Sequence, residues 1–156
     1  MRPHTRLTLL GSIFTTILAF AAPATSAGLI EGIATAKDGD DVIVQGIDMR
    51  LQGIAAPEDF GRKRQPGGPE ATANLQKLVG DKVVACTPDG TKARGRPVVT
   101  CKVSGVDIGL LQVEQGFARD CPRYSKGRYA AAEQRARASG RDLSSIYPLP
   151  SYCTPR

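Results

Sequence analysis

Hydrophobic and polar positions alternate or cluster in short β-rich runs along the first half of the chain and take on helical spacing later. Residues 29–37, 41–45 and 48–54 read as strands, with Gly46 as a tight turn between the second and third. Pro69 and Glu70 suit the first turn of a helix continuing through Ala71, Leu75, Leu78 and Val79, with Gly80 as its stop. Apolar runs at 82–86 and 97–101 predict two further strands, separated by a turn-rich stretch, 87–95. Asp107 is a good N-cap for a short helix over Leu110, Leu111, Val113 and Glu114, and residues 129–139 form an Ala-rich basic helix. The tail from Ser144, with Pro148, Pro150 and Pro155, is irregular. Five strands with three helices predict an α+β fold, a small, partly open barrel of the OB type.

The N-terminus follows another logic. Arg2 and Arg6 precede an apolar run from Leu7 to Phe20, and small residues follow through Ala27. That run is short for a membrane span and has the form of a secretory signal, so cleavage after Ala27 and a single mature domain over 28–156 are expected, periplasmic or secreted and without stable membrane association. Export favours disulfides, and no C-x-x-C spacing is present. Cys86, Cys101, Cys121 and Cys153 permit three pairings. A hairpin of the two cysteine-bearing strands would join Cys86 to Cys101, leaving Cys121 with Cys153 to tie the tail back and no free thiol for catalysis.

The net charge of +6 hides an asymmetry. Residues 28–91 carry 7 basic and 10 acidic side chains, whereas 92–156 carry 12 and 5. One half can hold a cation and the other can meet a polyanion. Within the acidic half, Asp38 and Asp40 of Asp38-Gly39-Asp40-Asp41 share a face of an extended chain, which suits a hard, oxygen-seeking cation such as calcium; Asp41 is expected to point away. Arg50 and Arg96 on neighbouring strands could flank one phosphodiester, since a guanidinium grips phosphate through two parallel N–H bonds. The loop from Gly61 to Gly68 carries Arg62, Lys63 and Arg64 and reads first as a solvated loop.

Asp38-Gly39-Asp40, Arg50-Leu51, Gly53-Ile54, Pro57-Glu58, Gly68-Pro69-Glu70-Ala71, Gly95-Arg96 and Gln115-Gly116-Phe117-Ala118 occur in an order and spacing that resembles the thermonuclease, or staphylococcal-nuclease-like, family. The resemblance implies an OB-type barrel that binds one calcium ion and cleaves DNA or RNA by attack of water on a phosphodiester. Asp40 then resembles the direct calcium ligand and Asp38 the acid that helps hold the ion through water, with the Ala56 carbonyl as a further ligand. Glu58 resembles the carboxylate that activates water, and Arg50 and Arg96 the phosphate-binding arginines. Arg94 and Tyr124 are the candidate substrate-binding residues; Tyr124 could stack a base near the site, although a tyrosine packed against the barrel is its first reading.

The chain departs from the pattern where an acid is expected: Ala55 takes the place of the second calcium carboxylate, and Asp41 and Arg94 replace the usual Thr and Tyr. One formal ligand charge is lost, and ligand charge is a main control on calcium affinity. Two expectations follow: an exported calcium-dependent nuclease of weakened metal affinity, or a binding module that kept the barrel and basic half without efficient catalysis. No oligomer signal stands out, so a monomer is expected.

Overall fold

The computed structural model describes residues 28–155; the expected signal, residues 1–27, lies outside the described residues. Strands β1 (Ile30–Asp38), β2 (Asp41–Val44) and β3 (Ile47–Leu51) form an antiparallel meander. Gln45 and Gly46 both take positive φ between β2 and β3, a two-residue reversal that favours glycine. A two-residue strand, β4 (Ile54–Ala55), follows, and then α1 (Gly68–Val79). β1 pairs on its other side with β5 (Val83–Ala93), which pairs with β6 (Arg96–Val103). A parallel pairing of Arg50 with Val98 and Leu51 with Val99 joins β3 to β6. The five-stranded sheet is therefore a closed, mixed barrel rather than a partly open one, and closure removes its exposed edges.

Inward-facing Val42, Val44, Met49, Leu51, Val84 and Val99 fill the barrel, and Leu75 and Val79 of α1 seal it. β7 (Val106–Asp107) leads into α2 (Ile108–Glu114), where the Asp107 carboxylate accepts from the N–H groups of Gly109 and Leu110, as the sequence predicts. β8 (Arg119–Asp120) pairs with β4, a one-turn helix α3 (Pro122–Ser125) follows, and α4 (Ala130–Ala138) packs on α2. Among the described residues, three helices have seven or more residues.

Cys86 and Cys101 are direct register partners in the β5–β6 hairpin and are bonded, and Cys121 is bonded to Cys153. The first bridge closes a 15-residue loop, worth about 3 kcal/mol in the chain-entropy account. The hairpin itself is longer than expected. Pro88, Asp89 and Gly90 make an irregularity within β5 instead of reversing the chain, and the reversal falls at Arg94-Gly95, both with positive φ. The stretch 48–54 is likewise not one strand. Gly53, at φ 75°, breaks it, and a Cβ there would lie 2.9 Å from Ser125 Cα. That break sends Ala55 out of the barrel sheet and into the β4–β8 pair.

Candidate active site

The β1–β2 turn carries the acids. Asp38, Asp40 and Asp41 are each no more than 2% exposed, and one carboxylate oxygen from each lies within 4.8 Å of the others. The expectation that Asp41 points away is therefore wrong. Gly39 and Asp40 form the turn itself, so alternation does not carry through it; Asp38 and Asp41 become direct cross-strand partners, which share a face. Gly39 makes this turn possible by close approach: an added Cβ would fall 2.6 Å from Ala56 Cβ and 2.7 Å from Ala71 Cβ. We expect Gly39→Ala to destabilise the fold by about 1–3 kcal/mol through overpacking, read as a lower urea midpoint. An unchanged midpoint would mean that the turn has slack.

Burial raises all three carboxyl groups. Asp38 is pushed up to about 6, by desolvation first and by the neighbouring Glu58, against the opposing Gly39 and Asp59 N–H bonds. Asp40 rises to about 7, again chiefly by desolvation, with Arg50 pulling it down and Asp41 pushing it up. Asp41 rises for the same reason, opposed by Arg50 and Arg96. Both Asp40 oxygens are engaged by Arg50, at 2.6 Å from Nη1 and 2.5 Å from Nη2, and Oδ2 also accepts the Ala56 N–H at 2.9 Å. Arg96 pairs with Asp41 Oδ2. Asp41 Oδ1 is buried without a hydrogen-bond partner, its nearest cation being Arg50 at 3.8 Å.

Arg50 and Arg96 then turn to a cleft of about 760 Å³, which Glu58 and Arg94 also line. Glu58 is half-buried. Its backbone is held at both ends by Gln65: the Glu58 N–H donates to Gln65 Oε1 at 2.9 Å, and the Gln65 N–H donates to the Glu58 carbonyl at 2.8 Å. Gly68 lets α1 approach, since a Cβ there would sit 2.2 Å from the Glu58 carbonyl oxygen. Tyr124, 49% exposed, lines the same cleft with Arg123 and Lys126. In the loop before α1, Arg64 pairs with Asp59, and Arg62 and Lys63 are exposed.

Residues 48–145, well over half of the chain, match the family described as Staphylococcal nuclease homologue. The chain belongs to that family. The matched segment contains Arg50, Glu58 and Arg96, while the three aspartates precede it and are joined to it where Asp40 pairs with Arg50 and Asp41 with Arg96. The chain is also 30% identical over 127 residues to the Succinoglycan biosynthesis protein ExoI of Rhizobium meliloti (strain 1021), an alignment spanning 76% of this chain and 66%, just under two thirds, of that protein. Staphylococcal-nuclease-like proteins are typically calcium-dependent and bind nucleic acid, and the three carboxylates fit such a hard cation: they are oxygen donors, clustered and buried, with one oxygen unpartnered.

Three features escaped the sequence pattern. Gln112, fully buried, donates through Nε2 to the Gly39 and Ala71 carbonyls at 2.8 and 2.9 Å and so ties the acidic turn to α1; a lone glutamine at helical spacing carries no such signal. Gln65 clamps Glu58 from a loop that reads as solvated. The third is the C-terminal strap. Ala55 is fully buried and packs in a small cluster with Tyr147, Cys121, Cys153, Leu143 and Leu149. Tyr147 is 5% exposed, its hydroxyl held strongly protonated by burial and by neighbouring Tyr152 and Asp40. The strap thus packs against the position where the family pattern has a carboxylate. No helix among the described residues is long and apolar enough to cross a membrane.

Proposed function

We propose that this protein is an exported, monomeric, calcium-dependent nuclease that hydrolyses phosphodiester bonds of DNA or RNA. The observation that carries the reading is the meeting of Arg50, Arg96 and Glu58 in one cleft, above three buried carboxylates. Arg50 and Arg96 neutralise charge that builds on the phosphate oxygens, because a guanidinium stays charged and offers paired donors. Glu58 takes the proton of the attacking water from a backbone that Gln65 fixes on both sides. Arg94 and Tyr124 meet the flanking nucleotide from the cleft walls. Asp38, Asp40 and Asp41, with the Ala56 carbonyl, would hold the ion, which when bound supplies positive charge beside the reacting phosphate. Asp41 here restores the ligand charge that Ala55 lacks. Export is supported by the N-terminal residue pattern and by two disulfides.

A second reading, a nucleic-acid-binding module without efficient catalysis, is favoured by the ion pairs themselves: Arg50 is committed to Asp40 and Arg96 to Asp41. One titration separates the two. Cleavage of single- and double-stranded DNA is followed against calcium, beside calorimetric calcium binding. The nuclease reading expects cleavage that rises with calcium and stops with chelator, and Asp41→Asn raising the calcium dissociation constant by about tenfold through loss of ligand charge. Binding without cleavage at millimolar calcium supports the module. Cleavage indifferent to chelator rules out the calcium site.

A further inference from the structure

We propose that Tyr152, on the disulfide-held C-terminal strap, stacks on a nucleobase and makes the cleft selective for single-stranded nucleic acid. The inference rests on the reading of the cleft as a phosphodiester site and adds the substrate class. Tyr152 belongs to a short turn, Ser151–Cys153, and although it adjoins the buried Cys153 its own side chain is left 42% exposed in the cleft. It lines the same cleft as Arg50. The other cleft tyrosine, Tyr124, follows Cys121 by three residues, and Tyr152 precedes Cys153 by one. A single bridge therefore fastens both aromatic segments to the rim of one cleft, and α3 packs directly against the Ser151–Cys153 turn.

Two half-exposed aromatic rings share the cleft with six cations, among them Lys92, Arg94, Arg123 and Lys126, against two acids, Glu58 and Asp89, and so combine the two elements of single-strand binding, a cationic track for the backbone and flat faces for bases. A duplex keeps its bases stacked on one another and offers no free face; an unpaired strand does. The strap is also preorganised. Pro150 enters the turn, the Cys153 N–H donates to the Pro150 carbonyl at 2.8 Å, and Tyr147 packs beneath, so little ordering is left for the bound state.

The test is fluorescence anisotropy with calcium present, in a Glu58→Gln background that slows cutting, read before turnover. The probes are a labelled single-stranded oligothymidylate and a duplex of equal length, with inorganic tripolyphosphate as competitor. Tyr152→Ala is expected to weaken single-strand binding about tenfold and Tyr152→Phe by less than about twofold, with duplex and tripolyphosphate affinities unchanged. Single-strand binding that is insensitive to Tyr152→Ala overturns the proposal and leaves the nuclease reading intact. Equal losses for tripolyphosphate also overturn it, because the strap then serves the fold or the phosphate track. Selective loss in a protein that never cuts, even with Glu58 restored, sustains the proposal and removes the nuclease. A parent protein that binds no oligonucleotide removes both.

Discussion

Glu58→Gln is expected to lower phosphodiester cleavage by roughly 10²–10⁴-fold, the range for loss of a positioned general base, while leaving oligonucleotide binding and stability near those of the parent. The amide keeps the size and shape of the carboxylate but cannot take a proton from water. Its backbone anchors do not depend on the side chain: Gln65 holds the Glu58 N–H and carbonyl, and α1 closes over that carbonyl at Gly68. The substitution also removes a negative charge beside Asp38, whose carboxyl Glu58 helps to raise, so crowding in the acidic turn is relieved rather than increased. Single-turnover cleavage at saturating calcium, beside anisotropy with a non-cleaved oligonucleotide, separates chemistry from binding. A rate within about tenfold of the parent would mean that the attacking water is activated elsewhere.

What could be read from the sequence was whatever has a local cause. Asp107 caps α2 because its side chain reaches N–H groups two and three residues on; Pro69 and Gly80 bracket α1; Cys86 and Cys101 meet because their strands form a hairpin. Arg50, Glu58 and Arg96 were placed by motif spacing, and the cleft brings them together. The failures occur where a turn or a distant segment overrides local pattern. Strand alternation fails at Asp41 because Gly39 and Asp40 reverse the chain and make Asp38 and Asp41 opposing partners. Pro88, Asp89 and Gly90 look like a reversal, yet β5 absorbs them and pairs with β6 as far as Ala93. Tyr147 and Tyr152 gave no signal at all. Their position at the cleft comes from the Cys121–Cys153 bridge, which spans 32 residues of sequence, and a proline-rich tail has no periodicity from which to infer it.

Ala55→Asp, which restores the acid of the family pattern, is expected to destabilise the protein by about 3 kcal/mol instead of repairing a metal site. Ala55 is fully buried against Tyr147, Leu143, Leu149 and the Cys121–Cys153 bridge, and the cation opposite it across the β4–β8 pair, Arg119, is already committed to Glu133. A carboxylate there loses its water, and Asp40, whose negative charge acts on the adjoining Tyr147, opposes its ionisation further. Arg119 is held by Glu133 and by the Tyr147 carbonyl, and sharing it with a second carboxylate does not offset the desolvation of a full charge. Calcium bound to the new acid would recover the loss only if the pocket had room for the ion. Urea midpoints with and without calcium test this. A midpoint well below the parent's in both conditions follows from the packing; a parental midpoint with tighter calcium binding would show that the strap yields. Tyr147→Ala sharpens the comparison, because removing the ring opens space and admits water beside residue 55. The destabilisation caused by Ala55→Asp should then be smaller in the Tyr147→Ala background than in the parent, a non-additivity expected only if the two side chains compete for one volume.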